Sequence, residues 1–403
     1  MAIKIPKVKM KMPNLPNMPG VDKTMVLAIV CGIIWLILDV VAVWITSFTI
    51  SRRLNKSSQN AENMKKNLKN ENIQIQHAHS TKEIHRYPLV DFYISGSYNS
   101  CSAGELENDW VSLEPLKTVL KRGIRCVDFE IYMLPSGIPV VAVGKNPVIN
   151  SKIKCKNYDI EVKGSYDYVT IPELFDCINT YGFNNSPTQN DPLFMNLRIK
   201  TKNLDVFKLL EKNIVKKFKG RLMGPKYGRG GKQLRQPDQF LHNRPLKDLR
   251  GKLIIMVEDF CGNYKNHSGF HELVNLEATP GNLRVYTDQD IKNADMRQLI
   301  RENKNTIALT KPNDAMPVVN SKSINHREYG CQIILMNFHL VDSRLKEHMK
   351  FFREKGTSIV LKPKHLRKVR NFAKLPKKRN KDLEGLNKKQ KRVDPVTGKH
   401  YTY

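Results

Sequence analysis

Short apolar runs alternate with amphipathic segments from about residue 88 to residue 366 of this chain. Runs of a few apolar residues are typical of buried strands, whereas longer segments with apolar residues every three to four positions are typical of helices. Strands are predicted at 89–95, 124–132, 138–142, 193–197, 253–257, 306–309, 331–338 and 358–361, and helices at 113–122, 171–180, 204–218, 291–302 and 343–355. This alternation indicates an α/β domain with a mostly parallel sheet, either open or closed into a barrel.

A much longer apolar run covers residues 25–50 and contains Asp39 as its only charged residue. Its length is sufficient for a helix to cross the hydrocarbon layer of a membrane. Arg52 and Arg53 follow the run as a stop-transfer flank would, whereas a signal peptide has a shorter apolar core and a cleavage site of small residues. We therefore predict one transmembrane helix at 25–50.

The side of the membrane on which the remaining chain lies is not fixed by charge, because lysines or arginines stand on both sides of the run. The six cysteines outside the run have neither CxxC spacing nor the density of a disulfide scaffold. We therefore expect no zinc site, and we expect the body of the protein on the cytoplasmic side of the membrane.

Strong positive charge is the main compositional signal, with a formal net charge of +30. The polar segments are interpreted as a basic N-terminal tail (1–24), a polar stalk (51–85), a basic connector (220–250) and a disordered polybasic tail (368–403). Between residues 362 and 403, fifteen Lys or Arg residues face three acidic ones. Such a segment predicts an anionic membrane as the partner. Nucleic acid is the alternative partner for the tail, which lacks interleaved aromatic residues.

No glycine-rich phosphate-binding fingerprint follows any of the predicted strands. The loop YGRGGKQ (227–233) has no strand before it and lacks the Lys-Ser/Thr ending of a P-loop. A nucleotide partner is therefore not expected. Three histidines, His77, His79 and His85, are interpreted as part of a solvated linker, because no further metal ligands stand nearby at a suitable spacing.

Four ordered segments of the chain resemble the X region of eukaryotic-type phosphoinositide-specific phospholipase C: FYISGSYNSCSAG (92–104), LKRGIRCVDFEIY (120–132), GIPVVAVGKNPVINSKI (137–153) and DPLFMNLRIKTK (191–202). The segment from 330 to 367, with its GCQ, NF and VLKP elements, resembles the Y region of the same family. The resemblance implies a distorted TIM (β/α)8 barrel made of an X-like half (86–219) and a Y-like half (251–367).

The resemblance also implies a chemistry, the cleavage of a phosphodiester between diacylglycerol and an inositol phosphate. This reaction uses two histidines as general acid and base and a calcium ion to stabilise charge on the phosphate. In this sequence the two histidine positions are occupied by Tyr98 and Val143. The family's head-group lysines are replaced by Met256 and Glu258.

Three of the four calcium-ligand positions retain oxygen-bearing side chains, Asn99, Asp128 and Glu130, with the two acids in exchanged order. Arg198 stands at the fourth position, and its guanidinium is expected to lie between Asp128 and Glu130 as an internal cation.

We therefore predict a membrane-anchored, catalytically inactive phospholipase C-like protein that acts by binding a lipid surface or a protein partner and needs no cofactor. The alternative is an active phosphoric diester hydrolase of the phospholipase C class with altered catalytic residues, in which calcium is the cofactor.

Overall fold

The computed structural model describes residues 23–69, 75–78, 86–104, 109–144, 164–224, 227–229, 240–259, 262–313, 317–368 and 391–402. The described helices are α1 (Lys23–Lys69), α2 (Leu113–Lys121), α3 (Ile171–Ile178), α4 (Asp205–Phe218), α5 (Ser268–Leu273), α6 (Asp288–Asn293), α7 (Met296–Asn303), α8 (Ser323–Glu328) and α9 (Ser343–Glu354). A π-helical turn, Asn179–Asn184, extends α3.

Eight parallel strands form a nearly closed barrel: β1 (Phe92–Ser97), β2 (Cys126–Met133), β5 (Leu193–Ile199), β6 (Leu253–Asp259), β7 (Leu276–Glu277), β8 (Leu283–Thr287), β9 (Ile307–Lys311) and β10 (Ile333–Met336). Each of these strands pairs with the next barrel strand along the chain, except β7 with β8, and β10 pairs with β1. Only isolated bridges from Ala278 and Thr279 to Leu283 connect the β7 and β8 edges. The prediction of an α/β barrel of the TIM type is confirmed.

The barrel interior changes from apolar to charged along the strand direction. At the N-terminal end, inward positions such as Ile94, Phe194 and Ile254 pack into one apolar cluster. Side chains two and four residues further along a strand share its inward face. On β5 this face therefore runs from Phe194 through Asn196 to Arg198. The polar groups consequently meet at the C-terminal mouth of the barrel, which is where TIM barrels place their functional sites.

Two of the eight predicted strands lie outside the barrel, and two barrel strands were not predicted. The run at 138–142 forms β3 (Pro139–Ala142), which pairs antiparallel with β2 and with the short β4 (Val169–Thr170). The run at 358–361 forms β11 (Ile359–Leu361), antiparallel to β1. The missed strands are β7, which has two residues, and β8, which is half-buried over most of its length. The predicted helix at 291–302 is divided into α6 and α7.

The long helix α1 combines the apolar run with much of the predicted stalk. Its segment Thr24–Ser47 is fully unburied and is long and apolar enough to cross a membrane, a property that an N-terminal signal sequence shares. Further along the same helix, Met64 and Leu68 are buried in the cluster that joins the barrel strands to the outer helices. The C-terminal part of α1, which belongs to the predicted stalk, therefore packs against the barrel.

The chain after α1 crosses the N-terminal end of the barrel. The backbone N–H of Gln76 donates to the carbonyl of Gly356, and that of Ala78 donates to the Asp191 carboxylate at 3.0 Å. Within the predicted connector, Leu246 and Leu249 are fully buried against the barrel interior, so its described C-terminal part closes this end.

The prediction of disorder for residues 368–403 differs from the structure in one segment. Residues 391–402 form a small antiparallel hairpin of β12 (Lys391–Val393) and β13 (His400–Thr402). Asp394 caps its turn, accepting hydrogen bonds from the Val396 N–H and the Thr397 hydroxyl. Residues 369–390 of the predicted tail, residues 1–22 of the N-terminal tail, and His79 and His85 lie outside the described part of the chain.

Candidate functional site

A buried polar network fills the barrel mouth and is positioned by strand register. In the parallel pair of β2 and β5, Glu130 lies beside Arg198 and Asp128 lies beside Asn196. The loop that follows β1 brings Tyr98 and Asn99 over these residues. Asn99 has a φ of 41°, in the left-handed region that asparagine tolerates better than most residues. The network is therefore assembled from two neighbouring strands and one strained loop.

Arg198 is the centre of this network, and its side chain is fully buried. Its Nε and Nη2 donate to the two carboxylate oxygens of Asp128 at 3.1 and 2.7 Å, a bidentate pair. Its Nη1 donates to Glu130 Oε1 at 2.7 Å, and its Nη2 also donates to Asn99 Oδ1. The sequence-based prediction that Arg198 lies between Asp128 and Glu130 is confirmed.

The oxygen atoms that would hold a calcium ion already accept hydrogen bonds. Asp128 Oδ1 also accepts from Asn196 Nδ2 at 2.8 Å, and Asp128 Oδ2 also accepts from the Asn99 backbone at 3.1 Å. Glu130 Oε2 accepts from the Tyr132 hydroxyl at 2.7 Å and from the Gly144 N–H at 3.1 Å. A divalent cation would meet the positive guanidinium in place of free oxygen ligands. As arranged here, these residues do not fit calcium.

The carboxylates of Asp128 and Glu130 are nevertheless buried away from water, and burial disfavours a charged group. Burial raises the pKa of Asp128 above its ordinary value, and the paired guanidinium of Arg198 opposes this rise. Asn99, Asp128 and Glu130 each have 2% or less of their surface exposed. The arginine is therefore the group that neutralises two buried carboxylates.

Neither residue at the two family histidine positions has the properties of an imidazole. Tyr98 is buried, its hydroxyl accepts a hydrogen bond from Arg198 Nη1 at 3.1 Å, and its ring lies 4.5 Å from the guanidinium carbon. Val143 is buried in an apolar cluster and has no titratable group. The general acid and base that the family reaction requires are absent from these positions.

Two other histidines that the structure describes, His77 and His339, do not replace them. His77 lies on the segment that crosses the N-terminal end of the barrel, opposite the mouth. His339 follows β10 near the mouth, where burial lowers its pKa to about 4 in spite of the nearby Asp109. No hydrogen bond or ion pair in the described chain joins His339 to Arg198, Asp128 or Glu130.

The network extends across the mouth through residues that the sequence reasoning missed. Asn196 Nδ2 donates to Glu258 Oε1 at 2.7 Å, and Lys311 Nζ lies 3.3 Å from Glu258 Oε2. Asn196 precedes Arg198 by two positions on one strand, a spacing that places both on the same face. Lys311 ends β9, two residues beyond the strand predicted at 306–309. Strand periodicity was thus the signal that could have identified Asn196, whereas Lys311 lies beyond the predicted end of its strand.

Of the two predicted head-group positions, Glu258 reaches the network and Met256 does not. Met256 is fully buried in the apolar cluster of the barrel interior, beneath Glu258. Burial would raise the pKa of Glu258, but Lys311, Arg198 and the amide of Asn196 outweigh it and lower that pKa. Glu258 is therefore held as a carboxylate in contact with a lysine.

Beside this pair lies a cavity of about 400 Å³, lined by Glu258, Asp259, Ala278, Val285, Thr287 and Lys311. Its position between the ends of β6 and β9 is that of a small-molecule site in a barrel. Two carboxylates and one lysine give it a formally negative lining, which disfavours a phosphorylated head group.

We expect the carboxylate of Glu258 to stabilise the fold in a pH-dependent way. Because its pKa is lowered in the folded state, its contribution is present above the unfolded value of about 4.5 and is lost as the pH falls through the folded value. Glu258→Gln should therefore reduce the loss of stability below about pH 4.5, by at most about 1.4 kcal/mol per pH unit. Urea unfolding of both proteins at several pH values measures this; identical slopes would contradict it.

Comparisons with known proteins agree with this architecture. Residues 85–258 match the model of the phosphatidylinositol-specific phospholipase C X domain, so the match passes through the predicted connector and ends in β6. The 1-phosphatidylinositol 4,5-bisphosphate phosphodiesterase delta-4 of Bos taurus is 35% identical over 83 residues, which are 21% of this chain and 10% of that protein.

Two solved structures share the fold. PLC21 of L. pealei superposes with a TM-score of 0.56 at 16% identity, covering 73% of this chain and 39% of that chain. PLC21 of S. officinalis gives a TM-score of 0.53 at 18% identity, covering 70% and 38%. This chain thus spans less than two-fifths of the length of either protein. Residues 85–258 of this chain are similar to the phosphatidylinositol-specific phospholipase C X domain, and the barrel that contains them has the fold of the two PLC21 structures.

Proposed function

We propose that this protein is a membrane-anchored phospholipase C-like barrel without phospholipase activity, which acts by binding an anionic lipid surface. The observation that carries the loss of activity is the position of Arg198. Its guanidinium engages Asp128, Glu130 and Asn99, the residues left over from a calcium site. Tyr98 and Val143 stand where the reaction needs two proton-transfer groups, so the loss affects the metal and the acid–base residues together.

Attraction to an anionic surface is supported by charge and by the candidate membrane span. The chain carries a net charge of +30, and Lys or Arg residues outnumber acidic residues fifteen to three after residue 361. Each basic residue near an anionic leaflet contributes about 1 kcal/mol of attraction, a term that salt screens. The apolar segment Thr24–Ser47 is of the length needed for an anchor.

The test of inactivity is a hydrolysis assay of the full-length protein in vesicles that contain phosphatidylinositol or its bisphosphate. Loss of a single acid–base group typically slows a reaction by about 10²- to 10⁴-fold. With both histidines absent, we expect turnover at least about 10⁴-fold below that of an active phospholipase C measured in parallel, with and without calcium.

A specific result would replace this proposal with the alternative of an active diester hydrolase. If calcium-dependent release of water-soluble phosphate esters is observed and is abolished by Asn99→Ala, the mouth is catalytic. Unbiased mass spectrometry of the lipid products extends the assay to other diesters. For lipid binding, the protein is inserted through Thr24–Ser47 into neutral vesicles, and its affinity for added anionic vesicles is measured. If it has no such affinity, the proposed lipid partner is ruled out, and a protein partner is favoured.

A further inference from the structure

A second cavity, of about 540 Å³, lies on the outside of the barrel between α8, α9 and β11. Because β11 pairs with the first half of β1, this groove is near the N-terminal end of the barrel, away from the Arg198 network. Its volume is within the range of ligand sites. Neither the family's reaction nor the mouth of the barrel accounts for it.

The floor of this groove is apolar. It is formed by Tyr93, Ile324, Phe351 and Val360, and Ile324, in the first turn of α8, is 47% exposed. The Phe351 ring packs edge-on against Tyr93, with ring centres 6.1 Å apart, and so extends the apolar surface. Ile324 is exposed and Phe351 is partly exposed, whereas Tyr93 and Val360 are buried and form the base of the groove.

The rim of the groove is basic. Lys355 and His365 are exposed there, and no ion pair among the described residues involves either. Arg367 lines the same rim. The buried Lys362 lies beneath it and donates to the carbonyl of Gly330 at 2.6 Å. Glu328 is the one acidic residue among those that line the cavity.

A ligand that complements both features must join an anionic group to an apolar chain. We propose that this groove binds one anionic phospholipid, with the phosphate near Lys355, His365 and Arg367 and the start of an acyl chain on Tyr93, Phe351 and Ile324. Arg367 and Lys368 precede the basic C-terminal segment in the sequence, and both lie in the described part of the chain. This inference rests on the lipid-binding part of the proposed function and is independent of whether the mouth is catalytic.

Photochemical cross-linking of the full-length protein tests the proposal. The vesicles are phosphatidylcholine with a trace of phosphatidylserine whose acyl chain carries a diazirine, and labelled peptides are identified by mass spectrometry. We expect labelling of residues 324–328 and 351–366 at about ten times the level that phosphatidylcholine with the same diazirine chain gives. Equal labelling by the two lipids, or no labelling of these peptides, would overturn the proposal.

Three variants separate the groove from general electrostatic attraction. Lys355→Glu is expected to reduce groove labelling about tenfold, whereas Lys346→Glu, an equal charge change at an exposed position of α9, leaves it unchanged. Ile324→Asp places a carboxylate on the floor and should also abolish labelling. Equal losses from Lys355→Glu and Lys346→Glu would show unspecific attraction and refute a built site.

The outcome can be distinguished from failure of the proposed function. Diester hydrolysis together with specific groove labelling would refute the inactive mouth and keep the groove. Absence of hydrolysis together with an unlabelled groove would keep the inactive mouth and refute the groove as a lipid site.

Discussion

Replacement of Arg198 by methionine is expected to lower the free energy of unfolding by about 3–5 kcal/mol, because it leaves two buried carboxylates without their cation. Asp128 and Glu130 are almost completely buried, and the arginine contacts both at 2.7 Å. The same change removes the group that excludes calcium. We therefore expect calcium to stabilise the variant, by about 2.7 kcal/mol at a hundred times its Kd, and to leave the wild-type protein unaffected.

Thermal or urea unfolding with and without millimolar calcium measures both effects. Arg125→Met is the matched control, because Arg125 is equally buried but donates to main-chain carbonyls of Thr188 and Gly182. This control should be destabilised and should not respond to calcium. Calcium stabilisation of the wild-type protein would show that the carboxylates still form a metal site.

The second large effect concerns the contact between α1 and the barrel. Leu68 is fully buried, and we expect Leu68→Ala to lower the free energy of unfolding by about 2–5 kcal/mol, through lost apolar contact and the cavity it leaves. A free stalk would tolerate this change. Urea unfolding of the full-length protein, followed by near-ultraviolet circular dichroism, measures the difference.

The control for this variant is Asn67→Ala, one residue earlier on the exposed face of the same helix. Its effect should remain within about 0.5 kcal/mol. If Leu68→Ala and Asn67→Ala behave alike, the end of α1 does not pack on the barrel in solution.

The α/β class was predictable from sequence because the buried strands form recognisable apolar runs, whereas closure of the sheet into a TIM barrel was implied only by the resemblance to phospholipase C. The pairing and direction of the strands were harder to predict, since a short run such as 138–142 has the same composition whether its strand is parallel or antiparallel. β7 contains only Leu276 and Glu277, which is too short for any periodic pattern. Such strands are defined by their neighbours more than by their own residues.

In the candidate site, too, some contacts were predictable from the sequence and others were not. The position of Arg198 between two carboxylates was predicted from the resemblance to phospholipase C, because Arg198 stands at the fourth calcium-ligand position beside Asp128 and Glu130. The contacts of Lys311 with Glu258 depend on how far β9 extends, which sequence periodicity does not resolve. Met64 and Leu68 were overlooked because two apolar residues in a polar segment give no signal until the surface they cover is known.

Because β7 and β8 are incompletely paired, fewer interactions hold the strands together on that side of the mouth than around Arg198. Around Arg198, paired strands and charged hydrogen bonds tie β1, β2 and β5 to one another. On the far side, Ala278 and Val285 border the cavity along a seam held by isolated bridges. Parting of β7 from β8 would widen this cavity without breaking the hydrogen bonds of Arg198, so the weaker side of the mouth is the side that borders the cavity.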